Sequence, residues 1–143
     1  MYVAGVDVGG AEKGFHCAVA DIRSGDVLEL VAIRGVTEAS TFLCEFDDLL
    51  VVAIDAPVRC RKRGGTKAGR ECERYLHRLG FRLQWTPSPL TLAVPEWMML
   101  GDQLFRALEQ RRPDVVVLET FPTAANQNLD RSRLKLPVSL FPS

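Results

Sequence analysis

Three carboxylates occupy positions from which they could act together. Tyr2-Val3-Ala4-Gly5-Val6 runs into Asp7, Val51-Val52-Ala53-Ile54 into Asp55, and Val115-Val116-Val117-Leu118 into Glu119. Val and Ile favour strands, and Pro57 cannot donate to a ladder, so each run reads as a strand with an acid at its C-terminal tip. Taken singly, each acid has a plainer reading as a loop cap or the partner of an arginine. Taken together they conflict, because two like charges about 4 Å apart repel by roughly 4 kcal/mol at an effective dielectric of ~20. Such a cluster needs protons, basic partners or a cation, and an all-oxygen donor set favours Mg²⁺ or Mn²⁺.

Beside the second acid lies the most charged stretch of the chain. Arg59, Arg61, Lys62, Arg63, Lys67 and Arg70 fall within twelve residues, around Gly64-Gly65 and with no acid among them. A solvated surface loop would also be basic. Its position two residues after Pro57 favours a basic loop that holds phosphates while the neighbouring carboxylates hold metal. Arg74, one turn beyond Arg70, joins the phosphate candidates.

These side chains need a sheet to bring them together. Near-continuous apolar runs suit inner, parallel strands covered on both faces, and open α/β sheets bind ligands at the carboxyl ends of their strands. Gly9-Gly10 with Gly14, and Ser24-Gly25, punctuate three short apolar runs (2–6, 15–20, 27–33), which predicts an antiparallel meander. A helix capped by Thr37 and lined by Phe42, Leu43 and Phe46 would carry the chain to Val51 as a parallel crossover. A second helix is expected over 69–79, stopped by Gly80. Its apolar side would be Cys72, Tyr75, Leu76 and Leu79, with Glu73 and His77 on a solvated stripe. Residues 85–95 hold three prolines and read as an irregular rim. A third helix from Glu96 or Trp97 to about Arg112 presents Trp97, Leu100, Leu104 and Leu108 to the core, and Asn126 to Lys135 reads as a short polar helix.

The chain has 143 residues, consistent with one domain spanning 1–143. Eighteen basic and eighteen acidic residues balance, so affinity for a polyanion must come from a local patch. No run approaches the ~20 apolar residues of a membrane span and no signal-peptide pattern precedes the first strand, so a cytoplasmic location is expected. Cys17, Cys44, Cys60 and Cys72 are unevenly spaced and only His16 and His77 accompany them, which argues for reduced thiols and against structural zinc.

The ordered set "GVDVGG", "VAIDAP", "RECER", a Pro-rich stretch and "VVLETFP", covering roughly residues 3 to 135, resembles the domain of unknown function 429 family. Its members are regarded as predicted nucleases of the ribonuclease H-like superfamily. The resemblance implies a mixed five-stranded α/β sheet of order 3-2-1-4-5 with helices on both faces, and Asp7, Asp55 and Glu119 on adjacent central strands. Relatives continue into a further helix carrying another Asp. Here the chain reaches Ser143 through Pro137 and Pro142, which make a poor helix, so that acid is expected to be missing or to come from a partner subunit.

The leading expectation is a metal-dependent nuclease that hydrolyses phosphodiesters of DNA or RNA. Asp7 would bridge two divalent ions, Asp55 and Glu119 would each hold one, and the basic residues from Arg59 to Arg74 would hold the substrate backbone. A binding module with the same fold but no chemistry is the alternative, and a fragment of an actin-like ATPase or phosphotransferase is a third. Whether the chain forms a homodimer is open at this level.

Overall fold

The computed structural model describes residues 1–59 and 65–122. Arg61, Lys62, Arg63, Cys60 and the polar helix expected over 126–135 lie outside the described residues. The elements are β1 (Tyr2–Val8), β2 (Phe15–Asp21), β3 (Val27–Ile33), α1 (Val36–Cys44), β4 (Leu49–Asp55), α2 (Glu71–Arg78), α3 (Glu96–Arg111) and β5 (Val116–Glu119). The strands form one mixed sheet in the order β3-β2-β1-β4-β5. β1 pairs antiparallel with β2, as does β2 with β3, whereas β4 runs parallel to both β1 and β5. This is the expected α/β arrangement with sheet order 3-2-1-4-5.

Local chemistry explains the meander. Between β1 and β2 the Gly9 N–H donates to the Gly14 carbonyl at 2.8 Å, and the Gly14 N–H to the Gly10 carbonyl at 2.8 Å. Gly14 has φ +68, and a Cβ there would stand 2.3 Å from the Ile33 carbonyl oxygen, so only glycine lets β3 pass this close. Between β2 and β3 an Asp21 carboxylate oxygen accepts the N–H groups of Arg23 and Ser24, an Asx turn.

α1 and α3 bury their apolar sides against one face of the sheet. Leu43, Leu104, Phe105 and Leu108 meet Ala4, Val6, Cys17, Val52 and Ile54 there, with Trp97 and Leu100 partly buried at the margin. α3 approaches the end of β4 so closely that a Cβ on Gly101 would lie 2.3 Å from the Ala56 Cβ. On the opposite face, in-register pairs place Leu30, Ala18, Gly5, Ala53 and Leu118 in one row, of which Leu30 is 75% exposed. No described helix is long and apolar enough to cross a membrane.

Two local expectations need correction. α1 is capped by Gly35, and Thr37 lies inside its first turn. Around α2 two positions depart from the expected pattern: Cys72 is exposed and Glu73 is buried, whereas Tyr75, Leu76 and Leu79 are half-buried and His77 is exposed as expected. The physical reason is a set of hydrogen bonds that satisfies the Glu73 carboxylate, described below.

Candidate functional site

The sheet registers decide which acids meet. Asp7 is in register with His16 on β2 and with Asp55 on β4. Neighbouring strands lie about 4.8 Å apart and in-register side chains share a face, so Asp7 and Asp55 stand side by side at the carboxyl edge. Asp7 is open, its side chain 71% exposed, and the His16 Nδ1 lies 3.9 Å from its Oδ2. Asp55 is partly buried. Burial pushes its carboxyl above the ordinary Asp range, and the charges of Asp7 and Glu119 push it further the same way.

Glu119 is out of phase with this pair. Its register partner is Ile54, so it extends the row Val31, Cys17, Val6, Ile54 rather than the row His16, Asp7, Asp55. Successive strand residues alternate faces, so a single step of register places Glu119 on the core side of the sheet. A carboxylate there needs partners. The Arg70 Nη1 donates to its Oε2 at 2.6 Å, the Arg70 Nη2 donates to Oε1, and the Val58 N–H donates to Oε2 at 3.0 Å. The expected convergence of three carboxylates is therefore realised for Asp7 and Asp55, with Glu119 engaged by a guanidinium.

Arg70 is in turn held by Glu73. The Glu73 carboxylate accepts the Arg70 Nε at 2.8 Å, the Arg70 N–H at 2.9 Å, the Thr86 N–H at 3.0 Å and the Thr86 hydroxyl. Glu73 sits at the third position of α2 and reaches back to the N–H of its N-cap, half of a capping box. Burial alone would raise its carboxyl, but the Thr86 hydroxyl, the two N–H groups and the Arg70 charge outweigh this and lower it. Burial likewise disfavours the Arg70 charge, and its bonds to Glu119 and Glu73 more than reverse the effect.

Two depressions open on Asp55. The larger, about 560 Å³, is walled by the 8–13 turn together with Asp55, Glu96 and Trp97. The smaller, about 160 Å³, lies between Asp55, Arg70, Glu73 and Trp97. Glu96 opens α3 and ties the turn down, its Oε2 accepting the Ala11 N–H at 2.8 Å. Of the basic residues expected to bind nucleic acid, Arg59 and Lys67 are exposed, Arg70 is engaged as above, and Arg74 donates from Nη1 to the Gly69 carbonyl at 2.8 Å.

Three functional neighbours escape a reading of motifs alone. His16 could have been found by counting back through the β1–β2 turn, since the hairpin sets 7 across from 16. Glu96 carries no local signal that it faces the turn. Glu73 resembles one member of a surface charge stripe until its partner Thr86, thirteen residues on, is placed.

For a hard divalent cation, Asp7 and Asp55 are a fitting donor pair: two carboxylates in register on adjacent strands and reachable from solvent. Among the described residues, no group of three or more His, Cys, Asp or Glu side chains is placed to hold a metal ion. Family models and curated protein sequences return no match to this chain.

Proposed function

We propose that the chain is a metal-dependent nuclease of ribonuclease H-like architecture, hydrolysing phosphodiester bonds of DNA or RNA at the edge formed by Asp7 and Asp55. The observation that carries this reading is the Asp7–Asp55 register pair at the carboxyl end of two central parallel strands. A Mg²⁺ or Mn²⁺ ion held there would supply Lewis-acid polarisation of a phosphoryl oxygen and acidify a water.

The chain's own residues have distinct tasks. Asp7 and Asp55 would hold the cation, and their mutual repulsion is the unfavourable energy that its binding would relieve. The 8–13 turn, fastened by Glu96, forms one wall of a cleft that opens on Asp55. Arg59 and Lys67 extend positive charge beyond Pro57, where a phosphate backbone would run; Arg61, Lys62 and Arg63 belong to the same proposal. His16 beside Asp7 can orient the carboxylate or a water on it.

Cleavage of single-stranded, double-stranded and branched DNA and RNA in Mg²⁺ or Mn²⁺ tests this reading, with Asp7→Asn as the control. Cleavage lost on that substitution supports it, and equal activity in both proteins removes it. A second reading, a nucleic-acid-binding module without turnover, is favoured by one observation: Glu119, the third expected ligand, is neutralised by Arg70. It calls for salt-sensitive binding and no cleavage across the same substrates.

A further inference from the structure

Arg70 serves two carboxylates with different parts of one guanidinium. Its Nε and backbone N–H are committed to Glu73, which is 1% exposed and also fixed by Thr86. Its two terminal nitrogens form a fork on Glu119. The Nη2 atom stands between them, 2.7 Å from the Glu73 Oε1. If the fork left Glu119, the guanidinium would keep its anchor on Glu73 and would not become an unpaired buried charge. That is the condition for a partner exchange at modest cost, since breaking a buried pair is expensive mainly when it strands a charge.

The fork geometry also specifies what could replace Glu119. A planar guanidinium matches a carboxylate and a phosphate in the same bidentate way. Arg70 and Asp55 both line the small depression, so a phosphate entering there meets the guanidinium beside Asp55. Resting on the functional reading above, we propose that Arg70 is a phosphate-binding residue that couples phosphate to metal. With its Nε kept on Glu73, the fork passes from Glu119 to a phosphodiester, and Glu119 is released to join Asp55 on the cation. Without phosphate the guanidinium occupies Glu119 and weakens divalent binding; with phosphate both ligands bind better. By linkage the two effects must be reciprocal.

The test is Mn²⁺ binding to the full chain, read from the paramagnetic resonance signal of free Mn²⁺, with and without the dinucleotide TpT as a single-phosphodiester probe. Arg70→Lys keeps a charge on Glu73 but lacks the fork. The paired change Arg70→Gln with Glu73→Gln removes the buried charge along with its partner, which avoids stranding either charge, and circular dichroism checks that each variant is folded. The expected result is that the variants bind Mn²⁺ roughly tenfold more tightly than wild type, about 1.4 kcal/mol. TpT tightens Mn²⁺ binding in wild type and leaves it unchanged in the variants. Equal Mn²⁺ affinity in wild type and folded variants, or the same TpT effect in all, overturns the coupling while leaving a metal site at Asp7 and Asp55 in place. Failure of wild type and variants alike to bind Mn²⁺ overturns both.

Discussion

Arg70 grips Glu119 through both terminal nitrogens of its guanidinium, and it can do so because β5 is one register step out of phase with the acids of β1 and β4. The same step that sets Glu119 in the row of Ile54, one residue from Asp55, lets Arg70 join α2 to the sheet edge. Arg70 thus links a strand end to a helix N-terminus, and the pair has consequences for stability as well as for chemistry.

Removing Glu119 as Glu119→Gln should cost about 1–3 kcal/mol, less than for an isolated buried pair because Arg70 keeps Glu73. A double-mutant cycle of Glu119→Gln with Arg70→Lys in urea unfolding should return a coupling energy in the same range. A coupling near zero would mean that the fork contributes nothing to the folded state.

Asp7 and Asp55 should separate in stability measurements. Asp7→Asn, at an open position, should change stability by no more than ~0.5 kcal/mol. Asp55→Asn should raise Tm at neutral pH, because burial and two neighbouring charges hold the Asp55 carboxyl above its ordinary range and its ionised form is unfavourable in the folded chain. A fall in Tm for Asp55→Asn would contradict that picture.

The acid limb of stability should carry opposed contributions. The Glu73 carboxyl is lowered, so its contribution is present above the ordinary Glu range and is lost as pH falls through its folded value. The Asp55 carboxyl is raised, so the folded chain keeps that proton longer and loses stability as pH climbs from the ordinary Asp range through the folded value. Unfolding curves from acid to neutral pH should show Asp55→Asn and wild type converging at low pH and diverging above it. Glu73→Gln should flatten the acid limb and cost about 2–4 kcal/mol at neutral pH.

Gly101→Ala should act on the site from behind. The added Cβ would fall 2.3 Å from the Ala56 Cβ, next in sequence to Asp55, and α3 must move off the strand end. Destabilisation of about 1–3 kcal/mol is expected. Chemical shifts should move around Ala56 and Val8, whereas changes confined to the C-terminal half of α3 would argue against this contact.

Much of the architecture can be read from residue order. Apolar runs with short glycine turns mark the meander, a lone helix between Ile33 and Leu49 marks the crossover, and Gly80 stops α2 at φ +93. The hairpin even specifies His16 opposite Asp7. Parallel register is different, because β4 and β5 are joined by a long connection through α2 and α3, with no tight turn to fix it. The likeness of "VVAID" and "VVVLE" invites an alignment of Asp55 with Glu119 that the crossover does not produce. The burial of Glu73 was hidden for a similar reason: an acid with four donors around it is no longer a surface residue, and two of those donors come from Thr86.

The most direct measurement is a titration of Mn²⁺ into the wild-type chain, Asp7→Asn and Asp55→Asn, following free Mn²⁺ by paramagnetic resonance. Saturable binding in wild type, weakened at least roughly tenfold by either substitution in chains that remain folded, is the expected result, corresponding to about 1.4 kcal/mol or more. No saturable binding in wild type, or binding that both substitutions leave intact, would contradict a cation centre at these two carboxylates.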